Sequence, residues 1–360
     1  MNFHVKTAIF SGLLLYATMA PLACVEYDVM TIPNFKGTIT MVQGINDGDV
    51  IVGSYFNPDV GNVHAFRYDL SLQMLTDLGT LYLELESRAL GINDNGMIMG
   101  TSGNQTFVYI NDSSGMQSIG FSKPIQARNT KSILTPNACF GTAINYSGEV
   151  CGSQVFKEGG ERPMFYNKMT GVIDLGLPED TIGNGTALGL NSSNEVVGVT
   201  YDSNNVGRAT LWKLIRGKDN KKRVQSLNLL DGFTNDTGET IANGINDNHQ
   251  VIGSFNDASN NTHAFLWTKE QGPINLGTLP GDTEAVAQAI NIEGVVVGIS
   301  SNPNKGEKRA FAWTQATGMV HLGITSTTTD LAVTSINDAG DVTVIVDTTI
   351  SLLIKTNNLV

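Results

Sequence analysis

The stretch Gly244-Ile245-Asn246-Asp247-Asn248-His249-Gln250-Val251-Ile252-Gly253, followed by His263-Ala264-Phe265-Leu266-Trp267 and Leu276-Gly277-Thr278-Leu279, decides the fold, because its parts return along the chain. An apolar anchor followed by asparagine stands at Ile45, Ile92, Ile144, Leu190, Ile245, Ile290 and Ile336, at separations of 47, 52, 46, 55, 45 and 46 residues. The asparagines are Asn46, Asn93, Asn145, Asn191, Asn246, Asn291 and Asn337, and the position four after each anchor holds Asp49, Gly96, Gly148, Asn194, His249, Gly294 or Gly340. Those types tolerate positive φ, and an asparagine side chain accepts from its own backbone two residues on. The spacing therefore predicts a tight hairpin closed by an Asx-turn.

After each turn comes a β-branched run such as Val50-Ile51-Val52 or Val295-Val296-Val297, ended by Gly53, Gly100, Gly152, Gly198, Gly253 and Gly298, with Val344 in the last copy. This reads as a second strand whose glycine marks a bulge or a close backbone approach, as near the narrow axis of a radial fold. A third strand carries the aromatic column Tyr68, Tyr109, Tyr166, Trp212, Trp267 and Trp313. A fourth ends in Leu78-Gly79, Ile119-Gly120, Leu175-Gly176, Leu276-Gly277 and Leu322-Gly323, with Leu227-Asn228 as the deviant copy. Four short strands per repeat predict a propeller blade.

The chain ends test for a ring. Met30, in Tyr27-Asp28-Val29-Met30-Thr31, precedes Ile45 by 15 residues, the spacing of a fourth strand, while only 24 residues follow Ile336. That tail suffices for Val342–Val346 and Leu352–Lys355 but not for a fourth strand. The expectation is an all-β, seven-bladed β-propeller closed by an N-terminal strand that completes the last blade, with residues 25–360 as one domain of seven repeats.

Composition agrees with a packed chain: 41% is hydrophobic and 16% charged. Residues 1–24 read as an export signal, with Lys6 before the apolar run Ala8 to Ala20 and then Pro21-Leu22-Ala23-Cys24. The last three resemble the end of a lipoprotein signal, from which Pro21 departs. The protein is thus expected to be exported, whether secreted, periplasmic or on the cell surface, with membrane attachment only through a lipidated Cys24. Cys139 and Cys151 flank one hairpin, which leaves a disulfide between them open. The net charge of −12 disfavours a nucleic-acid partner. One basic segment, Lys213 to Arg223, reads as a solvated hairpin tip in preference to an anionic docking patch. It and the insertion from Phe121 to Ala138 are expected to be surface loops.

These motifs resemble the extracellular HAF repeat, named for a tripeptide that stands at His64-Ala65-Phe66 and His263-Ala264-Phe265. The Gly-Ile-Asn-Asp turn, the Val-Val-Gly strand, the His-Ala-Phe-Leu-Trp strand and the Leu-Gly-Thr-Leu close carry the likeness, which covers the chain from Tyr27 onward. The resemblance implies export and a propeller-like repeat, and it brings no reaction. The second, third and seventh copies depart from the tripeptide, so it assigns the histidine no role.

Aligned third strands place His64, Gln105, Arg162, Arg208, His263 and Arg309 at one recurring position, a candidate polar ring. Such donors either tie a blade to its neighbour's loop or form a donor-rich surface for an anionic or sugar ligand. No metal site is expected: the Asn-Asp-x-Gly turns lack the alternating oxygens and distal glutamate of a calcium loop, and His64, His249, His263 and His321 have no zinc-ligand spacing. No catalytic constellation and no cofactor motif stands out. The sequence favours a monomeric exported binding scaffold for an extracellular protein or glycan over an enzyme. The alternative is a propeller hydrolase or lyase acting on an extracellular polysaccharide, its residues gathered at a central channel.

Overall fold

The computed structural model describes residues 27–31, 37–82, 86–110, 113–126, 132–179, 181–216, 222–229, 238–327, 331–346 and 349–355. The signal reading of residues 1–24, Cys24 included, lies outside them. The described residues hold strands and turns and no helix. Thr38–Ile45, Val50–Asn57, Asn62–Asp69 and Met74–Gly79 pair antiparallel in chain order as sheet I. The same arrangement recurs in sheets II to VI, spanning 87–118, 136–174, 181–228, 240–275 and 284–326. These are six propeller blades. A terminal sheet joins Leu331–Ile336, Val342–Val346 and Thr349–Lys355 to Tyr27–Thr31, with Tyr27 opposite Lys355 and Thr31 opposite Ser351.

Each first strand ends at its anchor, and the following turn forms as its residue types require. Asp49, Asn194 and His249 have φ of 56°, 60° and 60°, and Gly96, Gly148, Gly294 and Gly340 occupy the same left-handed place in their copies. The asparagine after the anchor does two jobs. Asn46 Oδ1 accepts from the amides of Gly48 and Val50 at 3.1 and 3.0 Å, closing its own turn. Its Nδ2 donates to the Asn93 carbonyl of the next sheet at 3.1 Å.

That second bond repeats: Asn93 to Asn145 at 2.8 Å, Asn145 to Asn191 at 3.2 Å, Asn191 to Asn246 at 3.3 Å, Asn246 to Asn291 at 2.9 Å and Asn291 to Asn337 at 3.1 Å. Asn337 then donates to Asn46 at 3.3 Å, across 291 residues of sequence. All seven side chains are buried, so every one of these groups would be costly to leave unpaired.

The recurring glycine has a cause within its own sheet. Every first strand is bulged two residues before its anchor, as between Val42 and Gly44 or Ala242 and Gly244. Beside the bulge its carbonyl comes so close to the second strand that a Cβ on Gly53 would fall on the Met41 oxygen, and one on Gly253 on the Ile241 oxygen. The approach is to the paired strand and not to a neighbouring blade at the axis.

The core lies between sheets. Met99, Val108 and Ile119 of sheet II pack with Cys139, Val150 and Met164 of sheet III, and Ile345 of the terminal sheet packs on Ile39, Val42 and Ile51 of sheet I. The aromatic column keeps one register, with Tyr68 opposite Ile51, Trp212 opposite Val196 and Trp267 opposite Val251. Burying such side chains contributes roughly 1.5–3 kcal/mol each.

The sheets decide three further points, of which one, the close of the fourth copy, departs from the sequence reading. Cys139 and Cys151 are both free and buried, because they face opposite sides of sheet III: Cys139 joins the core shared with sheet II, Cys151 that shared with Ala187, Leu190 and Trp212 of sheet IV. Burial pushes their thiols up to about 11 and about 12. The fourth copy closes on Leu229 and not on Leu227-Asn228. Leu229 is buried and donates its amide to Ala209, as Leu175 does to Pro163 and Leu276 to Ala264, whereas Leu227 is 52% exposed. Within the insertion after Phe121, Ile125–Gln126 pairs with Ile133–Leu134, and the two ends of the basic segment lie on the paired strands Gly207–Arg216 and Lys222–Asn228.

Replacing Asn246 tests the asparagine chain. Asn246→Ala removes two accepted amide bonds and the donation to Asn291, and should cost about 2–4 kcal/mol in urea unfolding; Asn246→Asp keeps the acceptor and should cost about half of that. If both variants fall within about 0.5 kcal/mol of the parent, the asparagines do not hold the fold.

Candidate functional site

The turns converge on one concavity. Their asparagines, the anchors Ile45, Ile92, Ile144, Leu190, Ile290 and Ile336, and the residue after each asparagine line a funnel of about 420 Å³. The aliphatic anchors form its floor. Its rim carries Asp47, Asp94, Asp247 and Asp338, with Tyr146, Ser192 and Ile292 in the remaining sheets. Backbone amides aim the carboxylates: Asp47 N–H donates to Asp94 at 3.0 Å, Asp338 N–H to Asp47 at 2.8 Å and Ile292 N–H to Asp338 at 2.9 Å, each to one oxygen. Ser192 engages both oxygens of Asp247, through its amide and its hydroxyl.

Asp338, Asp47 and Asp94 belong to three consecutive sheets. Burial, with the charges of Asp47, Asp94 and Glu293, pushes the Asp338 carboxyl above its ordinary value, against the pull of the Ile292 amide. Asp49, in the same turn as Asp47, is raised by burial and by Asp341, Asp69 and Asp47. The rim is therefore electronegative, and a cationic or hydroxyl-bearing group would relieve it.

The recurring third-strand donors sit at the other end of the strands. The second strand leaves the turn at Val50, and His64 lies opposite Tyr55 near its far end; Gln105, Arg162, Arg208, His263 and Arg309 hold the matching register. They stand one per sheet. In sheets I to III the partner comes from the fourth strand: His64 Nδ1 meets Asp77 at 2.9 Å, Ser118 Oγ donates to Gln105 Oε1 at 2.5 Å, and Arg162 grips Asp174 at 2.8 Å.

In sheet IV Arg208 binds Asp202, the last residue of the second strand, at 2.8 Å and the Gly238 carbonyl, and in sheets V and VI the partner comes from connecting segments: His263 Nε2 meets Asp257 at 2.9 Å, and Arg309 binds Asp282 at 2.8 Å. Burial works against ionisation of Asp77 and Asp202, yet the Gly79 amide and His64 hold the first below its usual value, and the Val206 amide and Arg208 the second. His263 and the amides of Asn261 and Ser259 hold Asp257 well below the carboxylate range.

A second concavity of about 510 Å³ opens between sheets IV and V on the same end as the funnel rim. Leu211 and Leu227 form one wall, Ile245, Val251 and Trp267 the other, and Lys213, Gln225, Asn248, Lys269 and Glu270 edge it. Glu195 closes its inner end, taking Lys213 Nζ at 2.6 Å and His249 Nδ1 at 2.5 Å. Burial opposes its charge, but those two bonds and one from Asn191 hold its carboxyl down at about 2. None of the residues lining either concavity is among the six donors singled out by the sequence; the signal for the funnel is the Asp after Asn at Asp47, Asp94, Asp247 and Asp338, which turn chemistry alone already accounts for. No group of three or more His, Cys, Asp or Glu among the described residues is placed to hold a metal ion, and no helix among them is long and apolar enough to cross a membrane.

No family model matches the chain. No curated protein matches it either. Among solved structures it is similar to the oligogalacturonate lyase of Vibrio parahaemolyticus, at 10% identity and a TM-score of 0.62 over 93% of this chain and 98% of that one. An oligogalacturonate lyase in complex with manganese is similar at 10% identity and a TM-score of 0.59, over 93% and 97%. The β-propeller domain of the Trilobed protease from Pyrococcus furiosus is similar at 11% identity and a TM-score of 0.51, over 80% and 84%. At such identities the likeness is of fold alone, and the fold is that of a β-propeller.

Glu195 makes stability depend on pH in a stated direction. Its carboxyl is depressed in the folded chain, from an ordinary 4.5 to about 2, so its contribution is complete above pH 4.5 and is lost as pH falls toward 2. Glu195→Gln should lower the free energy of unfolding by roughly 2–3 kcal/mol at pH 7, a gap that narrows between pH 5 and 3 in urea titrations. A gap that stays constant with pH would refute the assignment.

Proposed function

We propose that the protein is an exported binding scaffold of the HAF-repeat kind, a single domain from residue 25 to 360 in which seven blades close into a ring and one end recognises an extracellular protein or glycan. Pairing of Tyr27–Thr31 with Thr349–Lys355 and the hydrogen bond from Asn337 to Asn46 support the closed seven-bladed reading. The observation that carries the binding role is how the channel's polar groups are used. The seven asparagines spend their amides and carbonyls on turns and on one another, so the mouth is a rigid frame. What it presents outward is a concave surface of isoleucine floor and directed carboxylate rim, which suits recognition by shape and hydrogen bonding. A propeller lyase or hydrolase acting on a polysaccharide is the second reading; its support is the fold likeness to the oligogalacturonate lyases, which reaches no residue.

The test uses the purified exported chain against arrays of extracellular proteins and glycans, with reducing-end release read on every glycan that binds. Asp47→Asn, Asp94→Asn and Asp338→Asn together keep the acceptors for the backbone amides and remove the charge. The triple variant should lose at least about tenfold in affinity, as expected for charge-assisted contacts, with its unfolding midpoint little changed. Unaltered capture would remove the mouth from the account, and glycan cleavage would favour the second reading.

A further inference from the structure

We propose that the groove between sheets IV and V holds one ring of a neutral saccharide against Trp267, an inference that rests on the binding role of this end and names the class of glycan it takes. Groove and funnel share a wall: in the turn of sheet V, Asn246 and Asp247 line the funnel, while Asn248 and His249 line the groove. Of the three tryptophans, Trp212 and Trp313 are buried, and the Trp212 indole is spent on the Gly176 carbonyl; Trp267 is half-buried and lines the groove. With Leu211 and the exposed Leu227 on the opposite wall, the indole offers a flat apolar platform to the C–H face of a pyranose, and a space of about 510 Å³ falls within the range of ligand sites.

Charge decides which pyranose. The lining sets two lysines, Lys213 and Lys269, against two carboxylates, Glu195 and Glu270, and Glu195 already takes Lys213 Nζ at 2.6 Å and His249 Nδ1 at 2.5 Å. The groove therefore offers no net field to an ion of either sign. Across the shared turn, the funnel rim carries four aspartates and no cation among the described residues of its lining, so an acidic unit at the neighbouring position would be repelled. Polar groups along the groove's edge come as donors and acceptors together: the amides of Gln225 and Asn248 supply both, Lys269 donates and Glu270 accepts. A sugar hydroxyl also donates and accepts, so the perimeter of a neutral ring matches this edge as its face matches the indole. A wholly apolar occupant would cover the same groups without bonding to them.

Fluorescence and calorimetric titrations of the full chain distinguish the occupants. The probes are neutral tetrasaccharides of glucose, galactose and mannose, a glucuronate-containing tetrasaccharide and a capped leucine dipeptide. At least one neutral tetrasaccharide should bind, shift the tryptophan emission and hold its affinity within about twofold as salt is raised, since no charge is screened. The glucuronate chain should bind at least about tenfold more weakly. Trp267→Ala should cost about tenfold, and Trp267→Phe, which keeps a platform, less than about threefold while abolishing the emission shift. Leu227→Ser, at an exposed position that folding tolerates, should cost roughly fivefold. The triple Asp→Asn variant of the funnel rim should keep the emission shift. Binding that this triple variant loses and Trp267→Ala spares would place the sugar in the mouth and remove it from the groove. Absence of neutral-sugar binding at about 10 mM, preference for the glucuronate chain or the dipeptide, or indifference to both Trp267→Ala and Leu227→Ser would each overturn the proposal.

Discussion

One short side chain, repeated, sets the geometry of the whole molecule. An asparagine one residue past the end of each first strand is the right length for its carbonyl oxygen to close the turn beneath it while its amide reaches the backbone of the next sheet. Aspartate has no donor for the second contact, serine is too short for it, and glutamine too long for the first. Because each asparagine both receives from one neighbour and gives to the other, every sheet is referenced to the two beside it. Buried groups of this kind are expensive to leave unpaired, so the chain of contacts tolerates little drift in the spacing between sheets.

What the inner frame fixes, the periphery is free to vary. Sheet III accommodates the pairing of Ile125–Gln126 with Ile133–Leu134, and sheet IV extends its third strand to Arg216, while the asparagine bonds on either side remain at 2.8 to 3.3 Å. The funnel and the groove follow from this division. The funnel is where the rigid frame meets solvent, and its carboxylates are aimed by backbone amides of adjacent turns. The groove is where an outer strand pair has outgrown its neighbour, leaving Trp267 incompletely covered.

Much of the frame was legible beforehand, since it is written in local chemistry. Positive φ at Asp49 and His249, the Asx-turns and the register of the aromatic column all follow from residue types at fixed offsets. The misplaced close of the fourth copy shows the limit: Leu227-Asn228 matched the motif by composition, but the amide bond from Leu229 to Ala209 sets the register. The faces of Cys139 and Cys151 depended on strand parity across a bulge, which spacing alone does not reveal. The third-strand donors share one place in the repeat, yet their acceptors come from different places, Asp77 and Asp174 on fourth strands, Asp202 at the end of a second strand, and Asp257 and Asp282 in connections. Concavities between sheets depend on how well neighbours fill space and leave no periodic trace.

The most direct test of the asparagine contacts is nuclear magnetic resonance of their side-chain amides. The account predicts seven asparagine Nδ2 groups protected from solvent exchange to a common degree, with a through-bond coupling from Asn337 to the Asn46 carbonyl. It also predicts that opening any one of them by substitution speeds exchange at the others. An Asn337 amide that exchanges freely, or protection that changes only beside the substituted residue, would contradict it.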